Sequence, residues 1–516
     1  MIGIILTEKD FEYELQALAG NFFPGQECRV FCEGEELPEL ALAVRMELKR
    51  EGVRASFETG TTRICFEEKA DEDRDWHKHP DKSRHPYRSH YKNLVKQTLF
   101  SLLMAIPKSR LPEGVGRIVP PWGTMTGVRP AKIPMNALLQ GRDREDVKEE
   151  LEKVYLCEDD RAELCLRVAE REAAVLMGKD FSDEYSLYIG IPFCPTTCLY
   201  CSFPSYPCGT FGHLSDDYMD ALTTELRALA QECAGHAMTS VYLGGGTPTA
   251  LSADQLERLL VCVEEHFPVL QCREWTVEAG RPDSITQEKL RVLARHGISR
   301  ISINPQTMQE ETLRHIGRDH SVQDVKKAFC LARELGFDNI NMDLIAGLPG
   351  EGLNHFDDTL CQIKGLGPDS ITVHSLVIKR ASKLREMLCQ ADDCEGQERE
   401  RQIRMDAMLK RAIAFADEQG YEPYYMYRQK NSGGYSGLSG QENIGFARSG
   451  KECLYNVLMM EELQTIAAAG AGASTKFYHA SEKIVSRREN VKSITDYISR
   501  IDEMIERKRG RFWEMR

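Results

Sequence analysis

Cys194, Cys198 and Cys201 stand in a CxxxCxxC spacing directly after the largely apolar run Tyr188-Ile-Gly-Ile-Pro-Phe. Three thiolates on one short loop can ligate three irons of a cubane iron–sulfur cluster and leave the fourth without a protein ligand. An open coordination position is what a metal centre needs if it is to bind a reacting molecule. The competing use of these thiols is a zinc site completed by Cys208 or His213. Zinc sites of that kind usually bring a second CxxC pair, and none appears.

Three further groups of residues could do chemistry. Gly244-Gly-Gly-Thr-Pro-Thr249 ends the run Val241-Tyr-Leu243; glycines at a strand end let backbone approach a ligand closely, although a tight β–α turn uses them too. Glu278, Gln306 and Asp343 each lie in or just beyond a short apolar run. An acid there costs several kcal/mol unless it is paired, with Arg281 and Arg318 the candidates, or faces a polar ligand. Three such residues at the same edge of successive strands point to a cleft. Last, Tyr421-Glu-Pro-Tyr424-Tyr425-Met-Tyr427-Arg428 sets aromatic rings beside a guanidinium. That combination suits a flat ligand bearing carboxylates, although buried aromatics also serve as plain core. Arg428 is the expected carboxylate clamp.

The elements that must position these residues follow from periodicity. From residue 181 to 380 strands alternate with helices. The expected strands are Leu187–Ile191, Ser240–Leu243, Trp275–Val277, Ile298–Ile303, Ile340–Ile345 and Ile371–Leu376. Capping boxes are read at Ser252-x-x-Gln255 and Ser284-x-x-Gln287, and Gly297 and Gly336 end two helices. Six strands joined by helices imply an α/β fold with a parallel sheet, an open partial barrel whose chemistry sits at the strand C-termini.

Residues 1–70 read as a small α+β domain: strands Ile2–Leu6 and Cys28–Cys32, helices over Phe11–Leu18 and Leu40–Leu48, and a hairpin of Val53–Phe57 with Thr62–Phe66. Residues 71–180 read as a mostly helical extension after a polar connection, and 381–516 as a mixed region with a charged helix from about Gln397 to Glu418. His77, His79, His85 and His90 lie in or at the end of that connection and read as ordinary loop residues. Gly123-x-x-x-Gly127 stands among prolines, so it is no membrane-helix motif.

Composition narrows the classes. The 516 residues carry 66 Lys and Arg against 80 Asp and Glu, a net charge of −14. That balance argues against nucleic acid, whose recognition needs basic stripes. No apolar run is long enough to span a membrane, and Met1–Thr7 reads as a first strand, without the features of a signal peptide. Seventeen cysteines in such a chain point to a reducing cytoplasm; Cys233, Cys262, Cys272, Cys330 and Cys361 read as isolated buried thiols.

CxxxCxxC after a strand, with Tyr200 just before the last cysteine, resembles the radical S-adenosylmethionine (SAM) superfamily. Tyr188-Ile-Gly-Ile-Pro-Phe-Cys194-Pro195 and Cys201-Ser-Phe-Pro-Ser-Tyr206 resemble its oxygen-independent coproporphyrinogen III dehydrogenase family, nearest the HemZ-type branch. The resemblance implies a [4Fe–4S] cluster on Cys194, Cys198 and Cys201, and SAM held by Tyr188, Tyr200, Gly245, Gly246, Thr247, Glu278, Gln306, Arg318 and Asp343. It implies a tetrapyrrole substrate, an electron donor such as a flavodoxin or ferredoxin, and conversion of propionates to vinyl groups by a 5′-deoxyadenosyl radical. One position departs from the dehydrogenase pattern. Phe203 stands where that enzyme carries a further cysteine, and the family's haem-chaperone branch also has an aromatic there. A haem chaperone and a different SAM-dependent tetrapyrrole modification are therefore the alternatives.

Overall fold

The computed structural model describes all residues except 50, 71–86, 114, 202, 378–383, 385–393, 430–441, 483 and 514–516. His77, His79 and His85 lie outside the described residues, whereas His90 is in the helix Tyr87–Ala105 with its ring 6.3 Å from that of Tyr87.

The first sheet is built from β1 (Ile2–Leu6), β2 (Cys28–Cys32), β3 (Leu42–Lys49), β4 (Gly52–Thr59) and β5 (Thr62–Lys69), in the order β2-β1-β3-β4-β5. The helices Glu12–Phe22 and Tyr87–Ala105 supply Leu15, Leu18, Phe22, Val95 and Leu99 to the core formed with its buried face. The helix expected over Leu40–Leu48 is instead strand β3. Leu42, Val44, Met46 and Leu48 alternate inward, a period of two that pairing with β1 and β4 enforces over the helix propensity of Ala, Leu, Met and Glu.

The second sheet carries the barrel. Its parallel strands are β6 (Glu184–Ile191), β9 (Ala237–Gly245), β10 (Glu274–Gly280), β11 (Arg300–Ile303), β12 (Ile340–Ala346) and β13 (Ser370–Ser375), neighbours in that order. They match the six expected strands. A two-residue pair, β7 (Phe193–Cys194) and β8 (Tyr206–Pro207), lies between β6 and β9 in the chain. Strands β14 (Glu422–Arg428) and β15 (Glu442–Ala447) extend the sheet antiparallel beyond β13. On the other side β16 (Thr465–Ala469) runs parallel to β6, followed by β17 (Ser474–His479) and β18 (Ile484–Glu489). The sheet is open, with β14 and β18 as its edges among the described residues.

Local signals explain the helices between the strands. Ser252 and Gln255 form the reciprocal cap of helix Ala253–His266, which buries Leu256, Leu259, Leu260 and Val263. The second expected capping box fails. Helix Gln287–Arg295 is capped by Thr286, and the Ser284 hydroxyl instead serves a tight turn, donating to Arg281 O at 2.7 Å. Gly297 and Gly336 take φ of 66° and 93°, the left-handed geometry that stops a helix. Every described cysteine is a free thiol; Cys233 and Cys262 are buried, but Cys330 and Cys361 are exposed on the outer faces of their helices and Cys272 is half-buried. No helix among the described residues is long and apolar enough to cross a membrane.

Candidate functional site

The cysteine loop leaves β6 and is closed by β7 pairing with β8. Its middle is pinned from outside: Leu199 N donates to Ile316 O at 3.0 Å and the Thr196 hydroxyl to Gly317 O at 3.2 Å. Cys194 and Cys198 are buried and Cys201 is half-buried. Burial pushes the Cys194 thiol up to about 11, and the Cys201 and Cys198 sulfurs nearby add to the shift. Cationic groups meet the loop to offset this. Arg281 donates to Thr196 Oγ1 at 2.7 Å and lies 3.8 Å from Cys198 Sγ, while the Arg318 side chain lies beside Cys198 and Tyr200. Gathered thiols next to two guanidiniums are a donor set fit for an anionic iron–sulfur cluster. The zinc alternative fares worse. A zinc site would need Cys208 or His213 as its fourth ligand, and the charged neighbour acting on Cys208 is Lys289, not one of the loop thiols.

The glycine run lies along this loop. Gly246 N donates to Ile191 O and Thr247 N to Phe193 O, both at 2.8 Å, and the Thr247 hydroxyl lies 3.5 Å from Cys194 Sγ. A Cβ on Gly246 would sit 2.7 Å from Phe193 O and 2.9 Å from Cys194 Sγ. Gly245 has φ 112°, which a side chain rarely tolerates. The run is therefore the second wall of the cysteine loop.

Beyond it the strand ends gather polar groups around a lumen. Glu278 accepts from the Tyr242 hydroxyl, and burial, with the Asp343 charge adding, pushes its carboxyl up to about 7. Asp343 has the opposite fate. Burial works against its charge, but His374 at 3.9 Å, the hydrogen bond from Asn341 at 2.7 Å and the nearby Thr372 side chain outweigh it and hold the carboxyl below its ordinary value. One acid inclined to be neutral thus faces one held ionised. Neither takes the ion pair weighed from sequence: Arg281 binds Asp283 at 2.6 Å, and Arg318 donates to Asn304 O at 2.5 Å. Gln306 takes φ 70°, uncommon for a residue with a Cβ. It is held there by Gln306 N to Asp343 O at 3.0 Å and Ile345 N to Gln306 O at 2.9 Å. Tyr188 lies in a stack with Tyr242 and Tyr455; the Tyr242 and Tyr455 ring centroids are 4.5 Å apart.

The structure thus brings Tyr200 and Arg318 to the cysteine loop. Gly245, Gly246 and Thr247 lie along it, and Glu278, Asp343, Gln306 and Tyr188 stand at neighbouring strands. It does not bring Arg428. That guanidinium is buried on the outer side of β14, where it donates to Met125 O and lies 5.5 Å from the Trp122 ring centroid. Alternation in β14 explains the correction: Tyr425 and Tyr427 turn to the Asp343 side, so Arg428 turns away. Sequence reasoning missed Tyr242 and His374 as site neighbours and gave Arg281 no place at the cysteines. Their signal was the same alternation, since Tyr242 shares a side with Gly244, and His374 with Thr372.

A model of the radical SAM superfamily matches residues 188–362, the stretch from β6 through β12. Over 499 residues the chain is 37% identical to the oxygen-independent coproporphyrinogen-III oxidase-like protein HemZ of Bacillus subtilis, covering 96% of this chain and 94% of that one. It is 36% identical to the heme chaperone HemW of the same organism over 195 residues, 38% of this chain and 51% of the relative. Among solved structures, coproporphyrinogen III oxidase (HemN) of Escherichia coli aligns at 25% identity with a TM-score of 0.49, over 65% of this chain and 72% of that one. The chain belongs to the radical SAM family of oxygen-independent coproporphyrinogen-III oxidase-like proteins. Its cofactors are a [4Fe–4S] cluster and SAM.

Proposed function

We propose that the protein acts on a tetrapyrrole, converting propionate side chains of coproporphyrinogen III to vinyl groups without oxygen and giving protoporphyrinogen. The observation that carries this reading is the near full-length likeness to a coproporphyrinogen-III oxidase-like protein. The bound cluster and SAM supply a hydrogen-abstracting radical, which the protein itself cannot generate. Loss of the hydrogen atom, carbon dioxide and one electron from each propionate leaves the vinyl group, so a one-electron acceptor is needed as well as a donor such as a flavodoxin or ferredoxin.

The chain's own residues bind, orient and exclude water. Cys194, Cys198 and Cys201 hold the cluster, and Arg281 and Arg318 balance the thiolate charge. Gly245, Gly246 and Thr247 offer close backbone to the amino-acid end of SAM, with Tyr188, Tyr200, Gln306 and Arg318 around it. Asp343, held ionised, is a strong acceptor for ribose hydroxyls, and Glu278 with Tyr242 supplies a second polar edge. Tyr425 and Tyr427 offer aromatic faces to a flat macrocycle. With Arg428 turned outward, no cation is assigned to the propionate.

A second reading has one observation in its favour. Phe203, in the place of the dehydrogenase cysteine, is 69% exposed beside the cysteine loop, as an apolar contact of a haem chaperone would be. The test is anaerobic incubation of the reconstituted holoprotein with SAM, a reductant and coproporphyrinogen III. Vinyl products formed in proportion to 5′-deoxyadenosine support decarboxylation. Stable haem binding without deoxyadenosine moves the assignment to the chaperone, and methylated or ring-opened pigment to a different modification.

A further inference from the structure

The edge strand β14 faces two ways. Toward the lumen, the Tyr425 side chain lies beside Thr372 and that of Tyr427, paired in register with Asn443, beside the Asn443 side chain, and both are close enough to Asp343 for its charge to act on them. On the outer side, Arg428 reaches the segment before the helix Lys132–Leu139. Its guanidinium donates to Met125 O, and its main-chain N–H donates to Val128 O at 2.7 Å. Residues 125–128 thereby take up hydrogen bonding at the end of a strand that is an edge of the sheet among the described residues.

Trp122 stands at the centre of this contact. It is fully buried, with its ring beneath Arg428 and its indole N–H donating to Glu442 Oε1. Glu442 pairs with Arg428 across β15 and β14 and is itself 1% exposed, with Arg161 Nε 3.8 Å from its carboxylate. The residue after Glu442 turns to the other face. Asn443 Oδ1 accepts from Ser375 N at 3.1 Å and from Gln429 Nε2 at 3.2 Å, while Ser375 Oγ donates to Glu442 O at 2.8 Å. A single residue therefore separates the buried Trp122 anchor from the bonds that join β13, β14 and β15 at their lumen ends.

We propose that Trp122 is a positioning residue for the substrate side of the site. By holding Glu442 and Arg428 it sets β14 against β15, so that Tyr425 and Tyr427 face Asp343. Residues 119–129, in the extension that precedes the barrel, are then a working part of the active-site wall. The acceptor the indole takes is the register partner of Arg428, and residues 125 and 128 bond Arg428 itself, so the one segment is tied to both strands.

The test uses Trp122→Phe in the full-length reconstituted holoprotein, which keeps a ring under Arg428 and removes the N–H. Hydrogen exchange is expected to rise at least about tenfold in peptides covering 422–428 and 442–447, with 237–245 and 274–280 unchanged. Iron content and SAM cleavage without substrate should stay within about twofold, while product per 5′-deoxyadenosine from coproporphyrinogen III falls at least about fivefold. This last measurement rests on the proposed reaction. If the parent protein forms no product, that reaction fails and coproporphyrin III affinity replaces product as the readout: raised exchange with affinity weakened at least about fivefold supports the role of Trp122, and parental affinity overturns it. Unchanged exchange in both strands overturns the proposal whatever the reaction. Raised exchange with unchanged coupling in an active parent overturns it too, because Trp122 would then be structural only. Should Trp122→Phe not accumulate as folded protein, Arg428→Lys, which loses the geometry to Met125 O, carries the same measurements and the same refutations.

Discussion

Adding one methyl group at Gly246 should disable the cluster site while leaving the rest of the fold standing. The new Cβ would lie 2.7 Å from Phe193 O and 2.9 Å from Cys194 Sγ. Non-bonded heavy atoms prefer about 3.5 Å, so the neighbours must give by roughly 0.6 to 0.8 Å. Neither neighbour is free to do so. Phe193 O already accepts from Thr247 N at 2.8 Å, and Cys194 Sγ has the Thr247 hydroxyl at 3.5 Å. Overpacking of this kind costs about 1–3 kcal/mol, an unfavourable factor of about 5 to 150 on the ligating geometry. We expect Gly246→Ala to reconstitute with less than about half the parent's iron. Whatever cluster forms should cleave SAM about a hundredfold more slowly, as a displacement near 1 Å costs in other oriented sites. Gly365→Ala is the control, because its Cβ meets nothing within 4 Å in helix Leu353–Leu366 and should stabilise by about 0.5–1 kcal/mol. Iron and sulfide analysis, SAM cleavage and thermal unfolding read the two variants side by side. Parental iron content together with parental SAM cleavage in Gly246→Ala would refute the close packing of the two walls.

Two further outcomes follow from the same geometry. Single Cys194→Ala, Cys198→Ala and Cys201→Ala variants should lose brown colour and SAM cleavage together, whereas Cys208→Ala keeps both; loss of the cluster in Cys208→Ala with stoichiometric zinc would restore the zinc reading. Glu278 has a folded-state value near 7 against an ordinary 4.5, so its contribution to stability is fully present below pH 4.5 and is lost as pH rises through 7. At 1.36 kcal/mol per pH unit the upper bound is about 3 kcal/mol. Denaturant titrations of the apoprotein should show Glu278→Gln gaining on the parent between pH 4.5 and 8, and a pH-independent difference would show that the carboxyl is not desolvated.

How far the sequence could be read depended on how local the signal was. The six parallel strands of the barrel are legible because each is a short apolar run, and the helices between several of them carry their own start signals, such as the Ser252 cap. The cysteines were legible because their spacing sits within one loop. Strand β3 reads as a helix because Ala, Leu, Met and Glu favour one in isolation, and only pairing with β1, some forty residues earlier, and with the adjacent β4 makes the alternation of Leu42, Val44, Met46 and Leu48 decisive. Ser284 was misread for the opposite reason: its spacing to Gln287 satisfies a capping box, but Thr286 lies nearer the helix start and takes the role.

Arg428 shows where sequence reasoning about a site runs out. Three tyrosines and an arginine within five residues satisfy the chemistry of a flat carboxylate ligand, and composition cannot tell which of them share a face. Strand alternation can, once one residue is oriented. With Tyr427 set against its register partner Asn443 on the side of Asp343, residue 428 must point outward. An outward guanidinium at a sheet edge needs buried partners, because an unpaired charge there would cost several kcal/mol. Met125 O, the Trp122 ring and the Glu442 carboxylate answer that need. Two of the three come from a segment about 300 positions earlier in the chain, so no local pattern could have announced them. The same partners make Arg428→Ala ambiguous as a probe of substrate binding, since losing the clamp and loosening β14 would both suppress product while sparing SAM cleavage. Exchange in β14 separates the two. A substrate clamp would leave the strand as protected as in the parent, and an edge anchor would not.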